Sequence, residues 1–542
     1  MSKGFLALIL HAHLPFVRHT DGEGKLAEDW LYEAITETYI PLLNIMERLH
    51  KKGVNFRLTL NISPSLASML DDELLQKRYL NHLENLIELS EKEIERNSNT
   101  PRVKKLAEMY NYLFKEARYV FHEKYKNNIL KGFKKFQELN RLEIITSAAT
   151  HGYLPLILTE KAVNAQVATG INTYERIFGQ KPKGFWLPEC AFKPGIDAIL
   201  ADKGIRYFIS STHGILYATP RPRYGVYSPV YTPNGVAAFG RDVETSKQVW
   251  SANEGYPGDF DYREFYRDIG FDLDYDYIKK YLPDGIRKHV GIKYHRITGK
   301  SDYKELYDPD RAREKAAEHA ANFIFNRQHQ IKYLSQVMDR KPVVVAPYDA
   351  ELFGHWWFEG PQWLEFLLEK IHYDQEDFTT ITPSEYLDLY PRNQVAMPAE
   401  SSWGYKGYHE VWLNGSNDWV YRHLHEAELK MITLADKYNH LEDKDNIFYR
   451  ALNQMARELL LAQSSDWAFI IKTNTMVEYA IMRTKKHLFN FRKLSNQVEG
   501  KNLDKDFLSN LEKSNNIFPE IDFKIYNQNI NKGWDLKEGI SG

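Results

Sequence analysis

Short, unbroken apolar runs punctuate the first 350 residues and predict buried strands. Phe5-Leu6-Ala7-Leu8-Ile9-Leu10 is the first, ending at polar His11; Phe56-Arg57-Leu58-Thr59-Leu60-Asn61-Ile62 is a second strand candidate, after a helix-like stretch from about Trp30 to His50. From 71 to 140 the texture changes. Charged side chains crowd in, there is a single Gly and a single Pro, and Leu80, Leu83 and Ile87 recur at helical spacing, which predicts an inserted helical subdomain. Strand-like runs resume at Glu143–Ala148, Gly184–Leu187, Tyr207–Ser210 and Pro342–Ala346, with helical patterns between several of them. Alternation of this kind predicts a parallel sheet, either doubly wound or closed as a barrel. Residues 219 to 260, rich in Pro, Gly and Tyr, read as long surface loops with room for a hairpin. Beyond about residue 396 the pattern is mainly helical, with Leu452, Met455, Ala456 and Leu459 forming one apolar stripe.

Composition narrows the class. The 542 residues carry 71 basic and 73 acidic side chains, a net charge of −2, without the basic excess of a nucleic-acid or anionic-membrane binder. The single cysteine, Cys190, excludes an internal disulfide and suits a reducing cytoplasm. The Phe5–Leu10 run is too short for a signal-peptide core or a membrane span, so a soluble intracellular globular protein, in the cytoplasm, is expected.

Four polar clusters sit just beyond predicted strands: His11-Ala12-His13-Leu14-Pro15, Thr150-His151-Gly152-Tyr153, Trp186-Leu187-Pro188-Glu189-Cys190 and Pro347-Tyr348-Asp349-Ala350-Glu351. The carboxyl ends of parallel strands carry the active site of barrels and the ligand crevice of open sheets. Glu189 and Asp349 are the pair that glycoside hydrolysis or transfer requires, one to attack the anomeric carbon and one to protonate the departing oxygen. Either could instead cap the helix that follows it. His11 and His13 alternate on a strand, and with His151 and Asp349 they also fit a zinc site of an amidohydrolase on a barrel. Imidazoles binding sugar hydroxyls are a third possibility. Trp403 and Trp412, in surroundings rich in Gly, Ser and Asn, suit stacking on pyranose rings, whereas Trp419 fits a helix core and Trp356 and Trp357 a cleft wall or its anchor. No phosphate-binding glycine loop, Cys-x-x-Cys or nucleophile elbow is present.

His11-Ala12-His13-Leu14-Pro15-Phe16-Val17, His151-Gly152-Tyr153-Leu154-Pro155, Gly184-Phe185-Trp186-Leu187-Pro188-Glu189-Cys190-Ala191 and Tyr348-Asp349-Ala350-Glu351-Leu352-Phe353-Gly354-His355-Trp356-Trp357 together resemble glycoside hydrolase family 57, and most closely its α-1,4-glucan branching enzymes. Gly255–Asp259, Tyr262–Gly270 and Ser464-Ser465-Asp466-Trp467 add to the likeness, which spans nearly all of the first 480 residues. The resemblance implies an α/β fold, an incomplete (β/α)7 TIM-like barrel over 1–395 with the 71–140 insertion and active-site loops within 219–285. It also implies a C-terminal helical domain over 396–542 that contributes to a glucan cleft. A retaining mechanism without metal or other cofactor follows from the same likeness, with Glu189 as nucleophile and Asp349 as general acid/base. His11, His13, His151, Arg263, Phe271, Trp403, Trp412 and Asp466 would line the cleft, which displaces the zinc reading. The implied partner is α-1,4-glucan, with no nucleic acid or membrane, and a monomer or small homo-oligomer is expected. An α-amylase of the same family is the alternative. The family's loop tyrosine finds no single match between Tyr224 and Tyr227 of the Thr219–Tyr227 loop.

Overall fold

In the computed structural model, residues 2–20, 26–251, 254–282 and 285–528 are described. The parts of the 219–285 and 396–542 expectations that fall on 252–253, 283–284 and 529–542 lie outside them. Nine strands occur among the described residues: β1 (Gly4–Ala12), β2 (Leu58–Ile62), β3 (Leu142–Ser147), β4 (Gly184–Trp186), β5 (Tyr207–Ser210), β6 (Val230–Tyr231), β7 (Ala237–Gly240), β8 (Val343–Asp349) and β9 (Phe378–Thr380). None of the helices there is long and apolar enough to cross a membrane. The chain divides into two compact units, one comprising Met1–Leu60, Met69–Glu143 and Asp242–Thr382, the other Asn61–Ser68, Ile144–Arg241 and Pro383–Gly542.

In the first unit β1 is buried along its whole length, which is why its sequence is continuously apolar rather than alternating. It pairs in parallel with β8, from Phe5 opposite Val343 to His11 opposite Asp349, and with β9, from Gly4 opposite Phe378 to Leu6 opposite Thr380. The register therefore brings His11 and Asp349 to the same level at the strands' carboxyl ends. The charged stretch forms the helices Glu73–Arg96, Pro101–Arg118 and Leu130–Glu138, the first capped by the Asp72 carboxylate accepting the Leu75 N–H at 3.0 Å. The helix read from Trp30 to His50 is interrupted: a single π-helical turn, Ile35–Tyr39, separates Leu26–Ala34 from Ile40–Lys51. Such turns reset the faces of a helix, and this one presents Glu37 and Tyr39 to the segment after β8. Gly354, at φ 119°, lies against it so closely that a Cβ would stand 1.7 Å from the Glu37 carbonyl oxygen.

In the second unit β3, β4, β5 and β7 are neighbours in a parallel sheet, and the short β6 turns back antiparallel to β7 as a hairpin within the Pro- and Gly-rich region. The loop before it is tied at both ends, Thr219 N–H to Met397 O and Tyr231 N–H to Gln394 O, each at 2.9 Å. The helix Glu160–Phe178 starts at a Thr159 cap and ends at Gly179 in the left-handed region (φ 73°), where glycine carries no steric penalty. The apolar stripe Leu452, Met455, Ala456 and Leu459 is buried in the helix Ile447–Ala462, beside Ser465–Thr473 and Val477–Glu499.

Gly170, midway along Glu160–Phe178, is where that helix meets β3: a Cβ there would lie 2.1 Å from the Ser147 carbonyl oxygen. Alanine raises intrinsic helix stability by about 1 kcal/mol over glycine, while overpacking against backbone costs about 1–3 kcal/mol. Gly170→Ala is therefore expected to lower the thermal midpoint despite its better propensity, measured by calorimetry; a raised midpoint contradicts the contact.

Candidate active site

Glu189 follows β4 on a tight turn. Pro188 starts a 3-10 turn over Pro188–Cys190, yet Glu189 (φ 62°, ψ 23°) and Cys190 (φ 49°) both adopt left-handed backbone, unusual for side chains of their size. Strain of this kind persists only where surrounding contacts dictate it. Here the turn is clasped by the 401–403 segment: Phe192 N–H donates to Ser401 O at 2.9 Å, Ser401 N–H to Phe192 O at 3.1 Å, and Trp403 N–H to Glu189 O at 3.0 Å.

The carboxylate is held at both oxygens. The Trp403 indole N–H donates to Oε2 at 2.8 Å, and the Ser465 hydroxyl donates to Oε1 at 3.0 Å. Such donors favour the ionised carboxylate and fix its plane. His151 Nδ1 lies 3.7 Å from Oε1 and 2.9 Å from Ser465 Oγ. His151 is buried, follows β3 and has φ 57°, and its carbonyl accepts the Ser465 N–H at 3.1 Å. Asp466, in the first turn of Ser465–Thr473, accepts the Ser464 hydroxyl at 2.5 Å. Gly152 and Ser464 form an antiparallel bridge that closes this corner. The second unit thus assembles Glu189, His151, Trp403 and Asp466 from four segments far apart in sequence.

Two of the residues expected at the cleft are buried. Trp412 is 1 % exposed, stacked on Tyr153 at 4.4 Å between ring centroids, with Gly404 leaving space for its edge. It packs in a buried cluster with Tyr153, Ala191 and Ala468, its ring covered rather than open. Arg263 in the first unit is 4 % exposed, and its guanidinium forks onto Glu37 at 3.1 and 3.2 Å over the face of Phe358. Burial disfavours the charge on Glu37, but Arg263 and then His355 outweigh it and hold the Glu37 carboxyl down at about 2. Arg263 clamps the π-turn through this pair. Phe271 is 46 % exposed, edge-on to His289 at 5.2 Å. Trp357 is buried, whereas Trp356 is 44 % exposed.

The same unit presents Asp349 at the end of β8, half-buried, with His11 beside it in register. The His11 and His13 rings stack at 5.7 Å. Two residues beyond Asp349, the buried Glu351 accepts the His13 backbone N–H at 3.1 Å and the Tyr39 hydroxyl. Glu351, Tyr39, Glu37 and Ser465 were not singled out from sequence; Glu351 and Ser465 lie inside motifs that were, but no local signal marks which side chain of a motif turns inward.

A carboxylate held by N–H and O–H donors on a turn past a parallel strand stands where α/β folds place their ligand and active sites. The sequence model of glycosyl hydrolase family 57 matches residues 7–400, and that of the C-terminal domain of 1,4-alpha-glucan branching enzymes matches 423–526. The chain belongs to glycosyl hydrolase family 57. A 1,4-alpha-glucan branching enzyme of Thermococcus kodakarensis is 36% identical over 95% of this chain and 77% of its own. The crystal structure of a protein described as the novel alpha-amylase AmyC of Thermotoga maritima is 47% identical, with a TM-score of 0.92 over 97% of this chain and 99% of that one. A GH57-type branching enzyme from Pyrococcus horikoshii is 35% identical, with a TM-score of 0.87 over 98% of both chains. The fold class is the one these relatives share, a curled, incomplete barrel of parallel strands with flanking helices and a C-terminal helical domain.

Burial pushes the Glu351 carboxyl up from 4.5 to about 7, against the lowering by its hydrogen bonds to Tyr39 and the backbone and by His13. The folded protein then keeps a proton that the unfolded chain releases above about 4.5, so this contribution to stability is lost as pH rises through about 7. Glu351→Gln removes the ionisation. Its thermal midpoint is expected to fall less between pH 5 and pH 8 than that of the parent protein in differential scanning calorimetry; identical slopes contradict the assignment.

Proposed function

We propose that this protein is a 1,4-alpha-glucan branching enzyme working by retaining double displacement. The observation that carries the choice of acceptor is the match of residues 423–526 to the C-terminal domain of branching enzymes. The geometry at Glu189 supports the chemistry: a carboxylate oriented by the Trp403 indole N–H on one oxygen and the Ser465 hydroxyl on the other.

In the first step Asp349 donates its proton to the bridging oxygen of an α-1,4 bond as a Glu189 oxygen attacks the anomeric carbon. The C1–O bond breaks, the reducing-end fragment leaves as an alcohol, and a glycosyl ester forms on Glu189. In the second, the Asp349 carboxylate takes the proton of a glucose 6-hydroxyl, whose oxygen attacks the same carbon, and the ester bond breaks to regenerate Glu189. Two inversions give net retention and an α-1,6 linkage. Retention requires carboxyl groups roughly 5–5.5 Å apart across the scissile bond. His11, His13, His151 and Asp466 serve in this reading as hydroxyl and charge partners of the bound sugar, with Trp403 and Phe271 offering aromatic surface. The catalytic region is 1–395, with the insertion at 71–140 and active-site loops within 219–285, and 396–542 contributes to the cleft. The substrate is α-1,4-glucan, used by a monomeric or small oligomeric cytoplasmic protein.

The same ester can be opened by water, which would make the protein an α-amylase; the 47% identity to a protein described as one favours this second reading. Partition between the two acceptors changes tenfold for ~1.4 kcal/mol of relative barrier. Proton NMR after incubation with amylose separates them. New α-1,6 anomeric signals are expected, and reducing ends without such signals contradict branching. Asp349→Asn is expected to lower either activity by about 10²–10⁴, and Glu189→Gln to abolish both.

A further inference from the structure

The contact between His151 and Ser465 is directional. A serine hydroxyl has one proton and two lone pairs, and an ionised carboxylate only accepts. With the Ser465 hydroxyl donating to Glu189 Oε1 at 3.0 Å, the 2.9 Å contact to His151 Nδ1 requires the ring nitrogen to carry the proton and Ser465 Oγ to accept it. At 3.7 Å from Oε1, the imidazole is too far to hydrogen-bond the carboxylate directly. It reaches the nucleophile through the serine.

We propose that Ser465 is a positioning residue that relays a hydrogen bond from His151 Nδ1–H to Glu189, holding the attacking carboxylate in plane and stabilising it as the group that departs in the second step. The proposal rests on the reading of Glu189 as nucleophile. Three observations support it independently of sugar binding. The Ser465 backbone N–H is fixed on the His151 carbonyl at 3.1 Å, and the Gly152–Ser464 bridge locks the same two segments together. Ser465 and His151 are 3 % and 2 % exposed, so water does not compete for the relay. Trp403 donates to the opposite oxygen, so Ser465 and Trp403 together oppose rotation of the carboxylate. In the glycosyl ester, one oxygen becomes the ester link and the other its carbonyl. A donor retained on that group lowers the basicity of the leaving carboxylate while the acceptor's oxygen forms its bond to the anomeric carbon. A hydroxyl in this role is spent on orientation and on charge, not on the substrate, and its loss falls on turnover.

The test is steady-state kinetics of the full-length protein on amylose, with thermal midpoints recorded for every variant. Ser465→Ala is expected to lower kcat tenfold or more, as loss of a hydrogen bond to a charged group does, with KM within twofold. Ser465→Thr, which keeps the hydroxyl, is expected to restore most of the turnover. A Ser465→Ala variant with parental kcat overturns the relay. So does equal impairment of the Ala and Thr variants, which would assign the effect to packing. Glu189→Gln assayed in parallel separates the two levels: its inactivity beside a fully active Ser465→Ala sinks the relay alone, whereas an active Glu189→Gln removes the nucleophile on which the relay rests.

Discussion

The structure turns on one arrangement, a glutamate forced into left-handed backbone immediately past a buried strand and then gripped at both carboxylate oxygens. Residues other than glycine pay about 1–3 kcal/mol for such a conformation. Three backbone bonds from Phe192, Ser401 and Trp403 hold the turn in it. The turn lifts the Glu189 side chain away from the strand's own direction, so that an indole from 214 residues later and a hydroxyl from 276 residues later can both reach it. Gly184 belongs to the same device: a Cβ there would meet the Tyr207 ring at 2.2 Å, so the strand that delivers the turn packs at glycine distance from its neighbour.

The first unit repeats the logic with different parts. β8 delivers Asp349, and the 3-10 turn after it sends Glu351 inward, where it binds the His13 backbone and Tyr39. The π-turn exists in a helix whose sequence shows no break, and its consequence is polar: Glu37 holds Arg263 on one side and meets His355 at 3.4 Å on the other. A guanidinium and carboxylate buried together are strongly destabilised if one partner is removed, so this pair ties the 262–263 and 355 segments to the helix that carries Tyr39.

Much of this was legible in the chain. Continuous apolar runs mark β1 and β8 because strands buried on both faces have no polar side to display, and Glu189 and Asp349 stand out as charges just past the expected strands Gly184–Leu187 and Pro342–Ala346. The edges were less clear: the second strand begins at Leu58 rather than Phe56, since Phe56 is buried by packing and not by pairing. What sequence could not convey was partnership over distance. Trp412 sits among Gly, Asn and Glu and reads as exposed, yet Gly404 opens a slot in which its ring is buried on Tyr153. Nothing local in the sequence marks Arg263 for its partner Glu37, 226 residues away. Ser465 was one of two adjacent serines, and only the fold distinguishes the one facing Glu189 from the one facing Asp466.

The central claim is that Glu189 becomes covalently bonded to sugar during turnover. An activated α-glucosyl donor with a good leaving group, fed to an Asp349→Asn variant that cannot activate the acceptor, should trap that state. Tryptic digestion and mass spectrometry are then expected to find a hexose ester on the peptide spanning Gly184 to Lys203, localised to Glu189. An adduct on any other carboxylate, or turnover of the donor with inversion at the anomeric carbon, contradicts the account.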